Sequence, residues 1–181
     1  MHSQKLQAGS PFPTITLQPL NGEAIELSPQ HNSSDWTLLV IYRGQHCPLC
    51  TQYLNELQQH ASTLSEAGVK IIALSADSKA QLEAHQQVLH VKFPIAFGLT
   101  LEQMQALGLY ISKPRSEEET DHYFAEPALF VINQDNQLQI VELANNPFIR
   151  PNLTLFVAGI QWLRDPNNNY PIRGTFQASQ T

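Results

Sequence analysis

Residues 36–57 read WTLLVIYRGQHCPLCTQYLNEL and hold both cysteines of the chain. Trp36 to Gly44 is an apolar run rich in branched side chains. That pattern suits a central strand buried on both faces of a sheet. After Pro48 the period lengthens. Tyr53, Leu54, Leu57, Ala61 and Leu64 recur every three or four residues, and Gly68 is a natural stop. The spacing predicts one amphipathic helix, with the stripe of large side chains as core. Cys47 and Cys50 stand at the corner between strand and helix.

Working outward, FPTITLQPLNGEAIEL (12–27) reads as two short strands around the turn pair Asn21-Gly22. VKIIALSA (69–76) is a second buried strand. Ser78 with Gln81 has capping-box spacing for a helix to about His90, and Thr100 with Gln103 repeats it for a short helix carrying Leu101, Met104 and Leu107. Residues 112–124, SKPRSEEETDHYF, read as a solvated polar loop. PALFVI (127–132) is a third apolar strand. NQDN (133–136) is a turn, and QLQIVELA (137–144) a fourth strand paired antiparallel. Asn152 caps a last helix, with Leu155, Phe156, Ile160 and Leu163 inward. Strands alternating with helices predict an α/β fold, a central mixed β-sheet flanked by helices with an N-terminal β-hairpin extension. The expected organisation is a single domain over 1–181, with about 166–181 a C-terminal loop tail.

The chain's 181 residues can bury a proper core. Its charge balance is acidic, at −6, with the ten basic residues scattered. A phosphate-binding surface needs them clustered, so no nucleic-acid partner is expected. The start, MHSQKLQAGSPFP, lacks an apolar signal region. No apolar run approaches the roughly 20 residues of a membrane span. The default compartment is therefore the cytosol. Structural disulfides are rare there, and a Cys-x-x-Cys is more often redox-active or metal-binding.

Cys47 lies past the end of a predicted strand and in the first turn of a helix. Unpaired backbone N–H groups and the positive helix end lower a thiol pKa at such a position, to about 3.5–7.5 in Cys-x-x-Cys motifs. Pro48 is tolerated in a first helical turn. Cys47 is thus the expected attacking sulfur. Cys50, one turn later, is the expected resolving sulfur. Two other readings compete. The pair can be plain buried hydrophobes. Alternatively, both thiolates and His46 can hold zinc with one of the six other histidines, none of which has tight ligand spacing with the motif. Haem attachment would need His after the second cysteine, where this chain has Thr51.

On these residues the sequence resembles the thioredoxin superfamily, and more closely the peroxiredoxin-like branch of the AhpC/TSA redoxins. The resemblance begins at GSPFPTITLQPLNGEAIEL and continues through YRGQHCPLC and EPALFVI. It ends near FIRP and YPIRG. Cys-Pro-Leu-Cys is also similar to the Cys-Pro-x-Cys of glutaredoxins. The resemblance implies a thioredoxin-like fold and an oxidoreductase with an antioxidant role. It implies no organic cofactor and no metal. The expected partners are a thioredoxin- or glutathione-type dithiol reductant and a disulfide or hydroperoxide substrate. Pairing of two copies into a homodimer is compatible with it. It also implies a cis Glu126-Pro127 bond, with Pro127 facing the redox pair.

The chain departs from the peroxiredoxin pattern at three places. Val40 and Gly44 stand where peroxiredoxins carry Pro and Thr, and Pro127 aligns with their Arg. Arg43 or Arg150 is a candidate substitute for that Arg, although the preferred reading for both is a surface residue or one that only makes an ion pair. His46 either favours the Cys47 thiolate as an imidazolium or points to solvent. Glu126 is a candidate proton acceptor, with an exposed loop carboxylate the preferred reading. The leading function is a thiol–disulfide oxidoreductase acting on disulfides or peroxides. The alternatives are a true hydroperoxide peroxidase, with Cys47 peroxidatic and Cys50 resolving, and a non-catalytic binding module holding zinc. Elemental analysis of protein purified without chelator is expected to find no stoichiometric zinc; near-stoichiometric zinc would favour the module.

Overall fold

The computed structural model describes residues 4–27 and 35–176. Its centre is β3 (Trp36–Ile41), in which Leu38, Leu39, Val40 and Ile41 are fully buried. β4 (Val69–Leu74) runs parallel to it on one side, and β8 (Ala128–Ile132) antiparallel on the other. β9 (Leu138–Leu143) closes the β8 edge as a hairpin. β5 (Ile95–Phe97) pairs parallel with β4. The N-terminal hairpin, β1 (Ile15–Pro19) and β2 (Ile25–Leu27), joins through β1. The sheet order is β2-β1-β5-β4-β3-β8-β9.

Alternation along β3 divides the core in two, because successive side chains point to opposite faces. Leu38, Val40 and Tyr42 pack with Leu54 and Leu57 of α1 (Pro48–Gln59), and with Leu153, Val157 and Ile160 of α5 (Leu153–Arg164). Leu64 of α2 (Ala61–Glu66) and Leu82 of α3 (Lys79–His85) complete that layer. Leu39 and Ile41 face the other way, onto Phe12, Phe130, and Met104 of α4 (Leu101–Ala106).

The mixed sheet, the N-terminal hairpin and both capping boxes, at Ser78 and Thr100, are as the spacing predicts. Several details differ. The helix after Pro48 is two helices, because the amide of His60 bonds back to the Leu57 carbonyl and tightens the turn. α3 stops at His85 rather than His90. Asn55 of α1 takes over the backbone there, donating to the Val88 carbonyl and accepting from the His90 amide. β5 falls where no strand was expected. The polar loop is pinched at its base by β6 (Ile111–Ser112) against β7 (Phe124–Ala125). The tail opens with a 3-10 turn at Pro166–Asn168. Leu155 is 76% exposed rather than inward. The buried positions of α5 fall at 153, 157 and 160, so residue 155 lies on the far side of the helix. No helix among the described residues is long and apolar enough to cross a membrane.

This assignment of faces is testable by denaturant unfolding. Leu155→Ala is expected to stay within about 0.5 kcal/mol of the parent. Ile160→Ala, in the fully buried row, should cost about 2–5 kcal/mol.

Candidate active site

The site grows from the turn that takes β3 into α1. Gly44 makes that turn at φ +131°, a conformation closed to side-chain-bearing residues, and a Cβ there would collide with the Asp77 carboxylate. Asp77 is fully buried and accepts the Gln45 amide at 2.9 Å. Burial holds its carboxyl above the usual range. Three residues past Gly44, Cys47 is the N-cap of α1, and its sulfur accepts the Cys50 amide at 3.3 Å. A sulfur therefore does what a Ser or Asp oxygen does at other helix starts. Pro48 is the first helical residue, where its missing N–H leaves nothing unpaired.

Both cysteines are free thiols, and both are buried. The Cys47 thiol is held down to about 6. The hydrogen bond it receives from the Cys50 thiol is the largest cause; burial opposes it, and the Cys50 amide, Arg150 and Arg43 add to it. Cys50 is pushed far up, first by burial and then by donating to Cys47, with Arg150 opposing. The two shifts run in opposite directions, which favours the thiolate on Cys47 and the thiol on Cys50.

Neither arginine is a surface residue, since both point inward; Arg43 is instead the ion-pairing residue also expected, while Arg150 meets a sulfur. Arg150 donates from Nη2 to the Cys50 sulfur at 3.0 Å and lies 5.0 Å over the Tyr53 ring. Arg43 lies 4.6 Å over Phe124, with its guanidinium 3.4 Å from Glu126 and 3.5 Å from Glu119. Glu126 is correspondingly not an exposed loop carboxylate. It is 5% exposed and accepts the Ser112 hydroxyl at 2.6 Å. Guanidinium and carboxylate bury each other, a pairing invisible in the spacing of 43 and 126.

His46 fits neither expectation. Its half-buried ring packs against Phe124 at 4.6 Å. Burial, then the nearby Arg43 charge, lowers its pKa to about 4. It is neutral at pH 7 and cannot serve Cys47 as an imidazolium. The cis expectation for Pro127 is also corrected, because no described peptide bond is cis. A proline just before a strand forfeits no ladder N–H, so trans is tolerated there, and its carbonyl takes the Ala144 amide. Pro127 lines a crevice with Tyr53, Arg150 and Pro151.

The acidic loop is only partly solvated. Glu117 and Glu118 are exposed, but Glu119 bonds both Arg43 and Arg115. Asp121 pairs with His122, whose other nitrogen is 3.7 Å from Asp77. Sequence reasoning missed Asp77 and His122. An acidic residue just past the end of a buried strand was the available signal for Asp77. It also missed His85, a buried ring bonded to Thr51 at 2.8 Å. No group of three or more His, Cys, Asp or Glu among the described residues is placed to hold a metal ion. A cavity of about 490 Å³ opens at the opposite strand ends, beside Val69 and Phe93, and touches neither thiol.

A β3–α1 corner with two thiols, on a mixed sheet backed by helices, is a redoxin architecture. Residues 8–141 match the AhpC/TSA family, and the chain belongs to it. A 1-Cys peroxiredoxin of Medicago truncatula is 24% identical over 143 residues, 75% of this chain and 63% of the plant protein. Alkyl hydroperoxide reductase C of Escherichia coli (strain K12) is 23% identical over 123 residues, 68% of this chain and 64% of that protein. The chain thus aligns with just under two thirds of these relatives. Among solved structures, a cysteine-to-serine mutant of Peroxiredoxin 6 of Arenicola marina superposes with a TM-score of 0.74 at 23% identity, covering 90% of this chain and 75% of that one. Mycobacterium tuberculosis AhpC gives 0.72 at 15% identity, covering 90% and 96%. The fold is the thioredoxin-like fold of the peroxiredoxins.

Two outcomes are expected. Thiolate absorbance of the reduced protein should rise with a midpoint at about pH 6 and fade as pH drops through it; a first midpoint near the ordinary 9.0 would contradict the assignment of Cys47. Gly44→Ala should destabilise by at least about 1–3 kcal/mol in denaturant unfolding, the cost of backbone strain before the collision with Asp77 is added.

Proposed function

We propose that the chain works as a single thioredoxin-like domain and is a peroxiredoxin-type oxidoreductase with an antioxidant role. Cys47 is its nucleophile and Cys50 its resolving thiol. One observation carries the reading: the Cys47 sulfur caps the start of α1 and accepts the Cys50 amide at 3.3 Å, a position that favours its thiolate. The names of its relatives favour a hydroperoxide as substrate.

In the first step the Cys47 thiolate attacks one peroxide oxygen. The O–O bond breaks, Cys47 becomes a sulfenic acid, and the alkoxide leaves as alcohol after taking a proton from water, the one Cys47 released on ionising. In the second step Cys50 gives up its proton and attacks the Cys47 sulfur. The S–S bond forms, the S–O bond breaks, and hydroxide leaves with that proton as water. Two thiols are oxidised to one disulfide, and one hydroperoxide is reduced to alcohol and water. A thioredoxin- or glutathione-type dithiol then reduces the disulfide by exchange. No organic cofactor enters. The cytosol, where such donors keep thiols reduced, is the compartment this chemistry suits.

A second reading rests on Gly44 and Pro127, which leave no Thr hydroxyl and no Arg at the two peroxide-holding places of the family pattern. There Cys47 attacks a disulfide instead. It forms a mixed disulfide and releases one thiolate, and Cys50 releases the other.

Cys47→Ser is expected to abolish turnover with either substrate, and Cys50→Ser to stop at a single oxidation of Cys47. Full activity in Cys47→Ser, measured as peroxide or disulfide consumed, would sink the assignment.

A further inference from the structure

The two guanidiniums beside the thiols are placed differently. Arg43 is flanked by two carboxylates, Glu119 and Glu126. Arg150 forms no salt bridge with a carboxylate among the described residues, and the sulfur it touches is that of Cys50. It is held there from both sides. Nε donates to the Pro147 carbonyl at 3.2 Å, and the guanidinium lies over Tyr53 of α1. The Tyr53 hydroxyl in turn donates to the Pro151 carbonyl at 3.3 Å, closing the loop around Arg150.

While Cys50 keeps its proton, a cation in direct contact with its sulfur has little charge to meet there. That changes after Cys47 is oxidised. A sulfenic acid or mixed disulfide on Cys47 carries no charge, so the anion is gone. Cys50 must then ionise at a position with no solvent exposure. A buried thiolate without a partner is strongly disfavoured. The cation in contact with it is Arg150.

We propose that Arg150 is a catalytic residue of the resolving step, serving as counter-ion to the Cys50 thiolate as that thiolate attacks the oxidised Cys47 sulfur. The proposal rests on the function above. The first negative charge leaves Cys47 with the alkoxide or the first released thiolate; a second forms on Cys50 as it ionises, and leaves with the second departing group. In the peroxide branch the Cys50 proton ends on the leaving hydroxide as water; in the disulfide branch it ends on the released thiolate. Other groups also bear on the ionisation. Cys47 and Tyr42 face Cys50 from the β3–α1 turn. Glu142 of β9 and Tyr53 face Arg150. None of these four carries a positive charge.

The test mixes reduced protein rapidly with one equivalent of hydrogen peroxide. It follows peroxide loss, sulfenic acid by dimedone trapping, and disulfide by intact mass, across a range of pH. In Arg150→Met, closure of the disulfide should slow about tenfold or more, and its pH profile should move up by about one unit or more, the effect of losing an adjacent opposite charge. Sulfenic acid should accumulate, and peroxide loss should fall much less. Arg150→Lys should recover part of the closure rate. A second measurement does not depend on turnover. In a Cys47→Ser background the Cys50 thiolate is titrated by its ultraviolet absorbance, and adding Arg150→Met should move the midpoint up. Unchanged closure and an unchanged Cys50 midpoint would overturn the inference alone. Equal slowing of both steps would also overturn it, by assigning Arg150 to Cys47. If the parent protein forms neither sulfenic acid nor disulfide with peroxide or a protein disulfide, the function falls and takes the resolving role with it.

Discussion

A buried sulfur anion is the constraint on which the site depends. Cys47 is 2% exposed, so water does little to stabilise its charge. The protein replaces water with a helix start. As N-cap, the Cys47 sulfur receives an amide that would otherwise be orphaned, and the next turn supplies a thiol proton from Cys50. This works only if α1 begins at residue 48, one short turn past the end of β3 at Ile41. The left-handed turn at Gly44 makes that possible, and Asp77 fixes it by accepting the Gln45 amide. Fold and reactivity meet in the same six residues, 42–47.

Charge is arranged around that anion in two ways. On one side Arg43 is balanced by Glu119 and Glu126, which ties the acidic loop down beside the turn. On the other side Arg150 reaches in from the segment before α5 and contacts sulfur directly. Arg150 bears on both thiols from one fixed place, which is the preorganised arrangement that electrostatic catalysis needs.

Legibility in the sequence followed the range of the interactions. The β3 run, the capping boxes at Ser78 and Thr100, and the Cys47 corner are local patterns, and each is where the residues place it. What escaped depends on contacts distant in sequence. α3 ends early because Asn55, more than thirty residues away, takes the backbone of 88–90. β5 has only three residues and exists because β4 and β1 flank it. The burial of Glu126 and of Arg43 each depends on the other, so either residue read alone looks like surface. Leu155 went wrong for a different reason. A helix of mean apolar character supports several inward faces, and Val157 with Ile160 decides which one packs. Resemblance suggested a cis Pro127, whereas the bond is trans.

The central claim is that Cys47 and Cys50 form one redox unit in which Cys47 attacks and Cys50 resolves. Its most direct test is the rate at which fully reduced protein reacts with hydrogen peroxide, with mass spectrometry of the product. The reduced protein should react faster than a free thiol and end in one intramolecular Cys47–Cys50 disulfide. A rate no better than a free thiol's, with no disulfide formed from peroxide or from a protein disulfide, would contradict the claim.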